Sequence, residues 1–433
     1  MRIEIPRESE RFGAVSIHSV QKVLELDAGL QFQQNEAQTS QIIRRISYQQ
    51  LHGIEKEMAV VVPMRGERIK LVQGVLCGIP NHCLVIIISN SSRHPVDRFA
   101  IERDAFLRFS RFTDKRVVVV HQKDPALAAA FQAVGYEQIL DSNTGLVRSG
   151  KAEGMIAATM LARLLQRKYI GFVDADNYFP GAVLEYVHEY AAGFALSNST
   201  YAMTRIAWHS KPKIIEDGLF FAKWGRTSRN TNLLLNQLLA EYTGFETEII
   251  KTGNAGEHAL TMNLALKLRY SSGYSIEPYH YINLFEQFGG LEGTVLSKDL
   301  ILQHVDVHQV ESRNPHMHDT GKGDEHIDEM KYAAMQVIYQ SPICPKKLKR
   351  QLRREIREME EMEQVYAPVR YYDPLAELDD GAFRAALVER PYAEFFPPQP
   401  HLHVVPSPML VDVEETVVLP PTPEAPLPTN GKP

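Results

Sequence analysis

The chain has 433 residues, 44% of them hydrophobic and 23% charged, with 47 basic against 53 acidic side chains and a net charge of −6. That balance fits a globular protein with a large core and excludes a general nucleic-acid footprint; no apolar run reaches the length that spans a bilayer, so no membrane is expected as a partner. Three cysteines, Cys77, Cys83 and Cys344, make neither a disulfide framework nor a zinc pattern, and the expected compartment is the reducing cytoplasm.

In chain order, residues 1–56 have mixed polarity and read as an N-terminal accessory segment. Apolar runs at Met58–Pro63, Leu84–Ser89, Arg116–Gln122, Tyr169–Asp174 and Tyr201–Trp208 read as strands. Helical spacing of apolar residues fills the gaps at Arg68–Gly78, Asp97–Phe112, Asp124–Val134 and Glu153–Arg167. Strand and helix in alternation predict an α/β, doubly wound, mostly parallel sheet with helices on both faces and ligands above the carboxyl ends of the strands. This core is expected over 57–290, with a mixed and helical C-terminal extension over 291–394. Lys346–Gln364 reads as a solvated helix with opposite charges at helical spacing. Residues 395–433 are rich in proline, bury too little apolar surface to order themselves, and are expected to be a disordered tail.

The chemistry concentrates at strand ends. Tyr169-Ile-Gly-Phe-Val-Asp174-Ala175-Asp176 closes an apolar run with two acids, a pattern that suits a hard divalent cation bridged to substrate phosphates but also serves as a plain strand cap. Pro63-Met64-Arg65-Gly66-Glu67 and Ser89 sit at two further tips of the same sheet edge, with small polar groups suited to a base and ribose. Gly145-Leu-Val-Arg148-Ser-Gly-Lys151-Ala152 nearly spells a phosphate loop but carries alanine where a hydroxyl should hold Mg²⁺; Lys151 and Arg148 remain as anion contacts. Gly225-Arg226-Thr227-Ser228 precedes a helical run at Leu233–Ala240 and offers amides, a guanidinium and hydroxyls to a phosphate or carboxylate. Glu257 and Glu277 each follow glycines; either could bind sugar hydroxyls or support catalysis, though each alone reads as a surface acid. Among the histidines, His304 and His308 read as alternating on a partly exposed strand, whereas His316 and His318 flank one residue in a proline-stiffened turn and could complete a metal site.

Four stretches carry a resemblance to a known family: Val-Asp-Ala-Asp-Asn-Tyr-Phe-Pro-Gly-Ala-Val, His-Gln-Lys-Asp-Pro-Ala-Leu, Leu-Val-Arg-Ser-Gly-Lys-Ala-Glu-Gly-Met and Gly-Phe-Glu-Thr-Glu-Ile-Ile-Lys-Thr-Gly-Asn-Ala-Gly-Glu-His-Ala. From the N-terminus to about residue 340 the chain resembles the mannosyl-3-phosphoglycerate synthase family. The resemblance implies a retaining glycosyltransferase of GT-A fold that moves mannose from GDP-mannose to the 2-hydroxyl of D-3-phosphoglycerate, with a divalent metal (Mg, Mn, Zn or Co), and a homodimer as one possible state. It places Pro63, Met64, Arg65, Gly66, Glu67 and Ser89 at the guanosine end, and Lys151 toward the donor. Asp174, Ala175 and Asp176 would face ribose, metal and mannose, with Asp176 and either His316 or His318 on the metal. By analogy with glucosyl-3-phosphoglycerate synthases, Gly225, Arg226 and Ser228, with Thr227 between them, would bind the acceptor, and Glu277 would lie near the transferring sugar. Two rival classes are a P-loop-like NTPase or kinase using Gly145–Lys151, and a non-catalytic sugar-nucleotide sensor.

Overall fold

Three unbroken apolar runs, Met58–Met64, Leu84–Ser89 and Arg116–His121, form neighbouring parallel strands, with Val60 beside Val85 and Val85 beside Val117. Runs without polar alternation are what strands buried on both faces require. The computed structural model describes residues 1–26, 42–215, 218–222, 225–291, 304–317, 324–361 and 366–388. Tyr169–Phe172 pairs parallel with Met58–Met64 on its other side. Beyond it come His258–Thr261, antiparallel, then Ala202–Ala207, antiparallel to that, then Val305–Glu311, parallel. The strands on either side of His258–Thr261 therefore point the same way, and their carboxyl ends share one edge.

The sheet has twelve strands and ends in Gln21–Glu25, Arg2–Glu4 and Ile43–Arg45, while Val15–His18 joins Val305–Glu311 and carries Ser9–Phe12. The first 56 residues, set apart in sequence by mixed polarity, thus supply strands to the main sheet, and their helix Tyr48–Lys56 is fixed by a capping box between Ser47 and Gln50. These strands are three to five residues long. Too few residues alternate in them to signal a strand in the sequence.

Helices cover both faces. Val60, Val62, Val85 and Ile87 share a core with Val72 and Leu76 of the helix Ile69–Gly78, Phe106 of Arg98–Thr113, and Val183 and Tyr186 of Pro180–Leu196. On the opposite face, Ile88 meets Gly154 of the helix Lys151–Leu164. Local chemistry sets the starts. Asp97 accepts from Ala100 N at 2.9 Å, and Asp124 accepts from Ala126 N at 2.8 Å ahead of Pro125. Helix Arg226–Thr243 is longer than the run expected at Leu233–Ala240, and Lys346–Glu360 forms as expected on its surface face, burying Leu348, Leu352, Ile356 and Met359. Among the described residues, no helix is long and apolar enough to cross a membrane.

Candidate active site

The strand Tyr169–Phe172 stops two residues short of Asp174, earlier than the sequence run implies. The chain turns there, and Ala175 packs into the core. Asp176 is only 8% exposed, and Asn177 donates from Nδ2 to the Asp174 carbonyl at 2.8 Å, closing the turn. Asp174 points to Lys151, whose Nζ lies 2.7 Å from Asp174 Oδ1 and 2.8 Å from Glu277 Oε1. Lys151 is the first residue of its helix. Burial works against its charge, but Asp174 and Glu277 prevail and hold the ammonium well above its usual range. One cation thus joins a strand tip, a helix start at Lys151 and a second helix start at Ile276–Phe288.

Glu257 and Glu277 are not surface acids. They are 0% and 2% exposed. Glu257 accepts from Asn177 Nδ2 at 3.0 Å and from Trp208 Nε1 at 3.1 Å. Its burial and the neighbouring Asp174 charge push the carboxyl up to about 7. Glu277 Oε2 is buried without a protein hydrogen-bond partner, as are Nδ2 and Oδ1 of Asn254. A buried polar group with no internal partner calls for a water, an ion or a ligand. Arg205, fully buried beneath, donates to the Thr252, Gly253 and Glu277 carbonyls at 2.9, 3.3 and 3.1 Å and ties the two acidic segments together. Gly256 allows this packing: a Cβ there would lie 2.7 Å from Asp174 Oδ2 and 3.2 Å from Lys151 Nζ.

His316 reaches the same edge. Its ring stacks on Trp208 at 4.5 Å, its Nδ1 lies 3.2 Å from the Tyr186 hydroxyl, and the next residue, Met317, accepts from Tyr178 N at 3.0 Å. The loop before it is held by Glu185, which accepts from Arg313 N at 2.5 Å and from Asn314 N at 2.8 Å. Asp176 and His316 are both buried on segments joined by the Tyr178–Met317 bond, a carboxylate and an imidazole are donor types that suit Mn²⁺, Zn²⁺ or Mg²⁺, and Trp208 and Tyr186 fix the ring. His318 lies outside the described residues.

At the tips of Met58–Met64 and Leu84–Ser89, Arg98 donates to the Gly66 and Glu67 carbonyls at 2.6 and 2.8 Å, and Gly66 N donates to Ser91 Oγ at 2.9 Å. Pro63 and Met64 end their strand beside this loop, and Glu67 Oε2 accepts from Arg65 N at 2.5 Å. Ser89 is buried and donates to Glu102 at 3.1 Å, so its hydroxyl braces the tip from below. Arg148 pairs with Asp141 at 3.3 Å. The turn before Lys151 follows a single bridge between Leu140 and Val147 rather than a buried strand, which removes the phosphate-loop geometry.

Gly225 precedes helix Arg226–Thr243, with Thr227 and Ser228 8% and 6% exposed; the Arg226 side chain lies outside the described residues. A small cleft there is lined by Lys211, Gly225, Ser228, Lys251 and Asn254. Lys211 sits 3.7 Å over the Trp208 ring. The sequence reading missed Lys211, Lys251 and Asn254; the Gly-Asn-Ala-Gly-Glu run that holds Asn254 was its only signal.

The sequence profile of mannosyl-3-phosphoglycerate synthase matches residues 5–387. The chain belongs to this family. It is similar to the mannosyl-3-phosphoglycerate synthase of Pyrococcus furiosus, 44% identical over 381 residues, which are 88% of this chain and 95% of that one. That of Aeropyrum pernix is 33% identical over 372 residues, 86% of this chain and 93% of that one. Among solved structures, the chain is similar to glucosyl-3-phosphoglycerate synthase from Mycobacterium tuberculosis in complex with Mn²⁺, uridine diphosphate and phosphoglyceric acid, at 18% identity and a TM-score of 0.41 over 67% of this chain and 80% of that one. A likeness at that level carries no argument about the site.

Proposed function

We propose that this chain is a retaining glycosyltransferase that moves mannose from GDP-mannose to the 2-hydroxyl of D-3-phosphoglycerate. The observation that carries the reading is its membership of the mannosyl-3-phosphoglycerate synthase family over nearly all the described residues. What supports the chemistry is the ionic cluster of Asp174, Lys151 and Glu277 past the end of Tyr169–Phe172, with a cationic cleft at a helix start lined in part by Trp208, the partner of Glu257. The three cysteines are unpaired, in keeping with a cytoplasmic enzyme.

In this reading the Pro63–Glu67 loop, braced by Ser89 and Arg98, holds guanosine, and Asp174 meets the ribose. Asp176 and His316 would hold a divalent cation that neutralises the leaving diphosphate. Lys151 pairs with Asp174 and Glu277 and fixes both, so that Glu277 Oε2 can accept from a mannose hydroxyl. Gly225, Thr227, Ser228 and Arg226, with Lys211, take the acceptor phosphate and carboxylate, and the helix start adds its amide dipoles. As the bond from C1 to the diphosphate oxygen breaks, the acceptor oxygen approaches C1 from the same face. GDP leaves with the electron pair, and a diphosphate oxygen takes the acceptor proton. The protein contributes position and fixed charge.

The deciding assay is GDP release from GDP-mannose with and without 3-phosphoglycerate, with the product's anomeric configuration read by NMR. Release that depends on 3-phosphoglycerate and gives an α-mannoside is expected. Release indifferent to 3-phosphoglycerate, or an inverted product, sinks the reading. Arg226→Ala tests the acceptor half-site. A charged hydrogen bond is worth roughly 1.5–3 kcal/mol, so kcat/KM for 3-phosphoglycerate should fall about ten- to a hundredfold with GDP-mannose affinity little changed. Loss of donor binding with an unaltered acceptor KM would reverse the two half-sites.

A further inference from the structure

Within the sheet rather than at its strand tips, three side chains meet whose chemistry the transfer reaction does not use. Val15–His18 runs parallel to Val305–Glu311 with Val15, Ser16 and Ile17 beside Val305, Asp306 and Val307. Continuing that register sets His18 beside His308, and their rings lie 4.4 Å apart. Asp306 and His308 are two residues apart on one strand, so their side chains leave the same face. His18 Nε2 is 3.6 Å from Asp306 Oδ1. One donor atom from each of His18, Asp306 and His308 lies within 4.8 Å of the other two.

The outer atoms of all three are already engaged. Ser9 Oγ lies 2.7 Å from His18 Nδ1, Gln21 Oε1 lies 2.9 Å from His308 Nδ1, and Ser197 Oγ donates to Asp306 Oδ2 at 2.7 Å. The Gln21 carbonyl can only accept, so His308 carries its proton on Nδ1 and a lone pair on Nε2. That Nε2 is buried, on a residue 2% exposed, and has no hydrogen-bond partner. A second atom of each ligand tied to a neighbour while the first faces a shared point is how proteins orient metal-binding side chains.

We propose that His18, Asp306 and His308 form a second divalent transition-metal site, separate from the one at Asp176 and His316. Two imidazoles and one carboxylate favour Zn²⁺ over Mg²⁺ or Ca²⁺, with water completing the tetrahedron. Donors around a tetrahedral Zn²⁺ stand about 3.5 Å apart, so binding draws the three together by roughly 1 Å. His18 can supply most of that movement, because its side chain is at a strand end and 16% exposed. Asp306 and His308 are the second and fourth residues of the seven-residue strand Val305–Glu311, whereas the transfer chemistry is assigned past the carboxyl ends. Its role is structural: it clamps the Val15–His18 strand to the strand that leads, eight residues after His308, to His316.

The test uses the full chain, stripped with chelator, reloaded with Zn²⁺ or Co²⁺ and desalted. In an Asp176→Ala background, about one equivalent of metal should remain, and the cobalt form should show the visible bands of a four-coordinate ion. Adding His18→Ala or Asp306→Asn should weaken retention at least about tenfold, erase those bands and cancel the Zn²⁺-dependent rise in Tm. Asp306→Asn keeps the side-chain shape, and far-ultraviolet circular dichroism checks that each variant is folded. Two results overturn the proposal: a folded Asp176→Ala protein that retains no metal, or retention and bands unchanged by both His18→Ala and Asp306→Asn. Neither outcome depends on the identity of the sugar donor, so failure here is distinct from failure of the transferase reading.

Discussion

Replacing Lys151 with Met is expected to lower kcat/KM by about a hundred- to a thousandfold while leaving the protein folded. The Lys151 ammonium is shared by Asp174 at 2.7 Å and Glu277 at 2.8 Å, and the Glu277 side chain is only 3% exposed. Removing one partner from a buried ion pair strands the other charge, at a cost of roughly 3–5 kcal/mol. The site would relieve that cost by moving the Glu277 carboxylate out of reach of the transferring sugar, or by turning Asp174 away from the ribose. Either response acts on the transition state, at about 1.4 kcal/mol for each tenfold in rate. Steady-state kinetics and a melting curve on the same preparation check it. Turnover within about threefold of the parent would show that the triad is structural and that catalysis does not draw on it.

The second large effect is expected at Asp176. Asp176→Ala should remove measurable transfer at any concentration of Mg²⁺ or Mn²⁺, a loss of at least about a thousandfold, because a metal held there would supply several kcal/mol of transition-state charge stabilisation and few protein ligands would hold it. Asp176 is 8% exposed at the end of a turn held by Asn177 and by the Tyr178 contact to Met317, so the fold should tolerate the change. Retained GDP-mannose binding with turnover gone, measured by calorimetry beside the kinetic assay, is the expected pair of results. Near-normal turnover at saturating metal would take Asp176 out of the reaction and leave Asp174 as the acid to examine.

Several parts of this site were open to reading before any coordinates. The run that ends at Phe172 shows itself because a strand buried on both faces must be apolar throughout. The starts of Arg98–Thr113 and Pro125–Ala133 show themselves because Asp97 and Asp124 bond amides two or three residues away. Other parts were misjudged for an equally physical reason. A glutamate after glycines looks exposed locally, yet Glu257 and Glu277 are buried, since their partners come from far along the chain. Trp208 donates to Glu257 across 49 residues, and Asn177 across 80. His308, which reads as half-exposed from its alternation with His304, is buried because Val15–His18 covers it.

The amino-acid sequence by itself determined the alternation of strands and helices, the edge at which Asp174 and Asp176 emerge, and the family. Each of these is written in periodicity, capping or an ordered motif within a few residues. Only the tertiary structure decided that Lys151 serves two carboxylates, that Glu277 faces the site, that the first 56 residues complete the main sheet, and that His18 meets Asp306 and His308. Those pairings join segments up to nearly 300 residues apart, as in the contact of Gln21 with His308 across 287 positions. Local propensity carries no information about which distant charge will arrive. The packing of one strand against another settles that, through the burial it imposes and the partners it then requires.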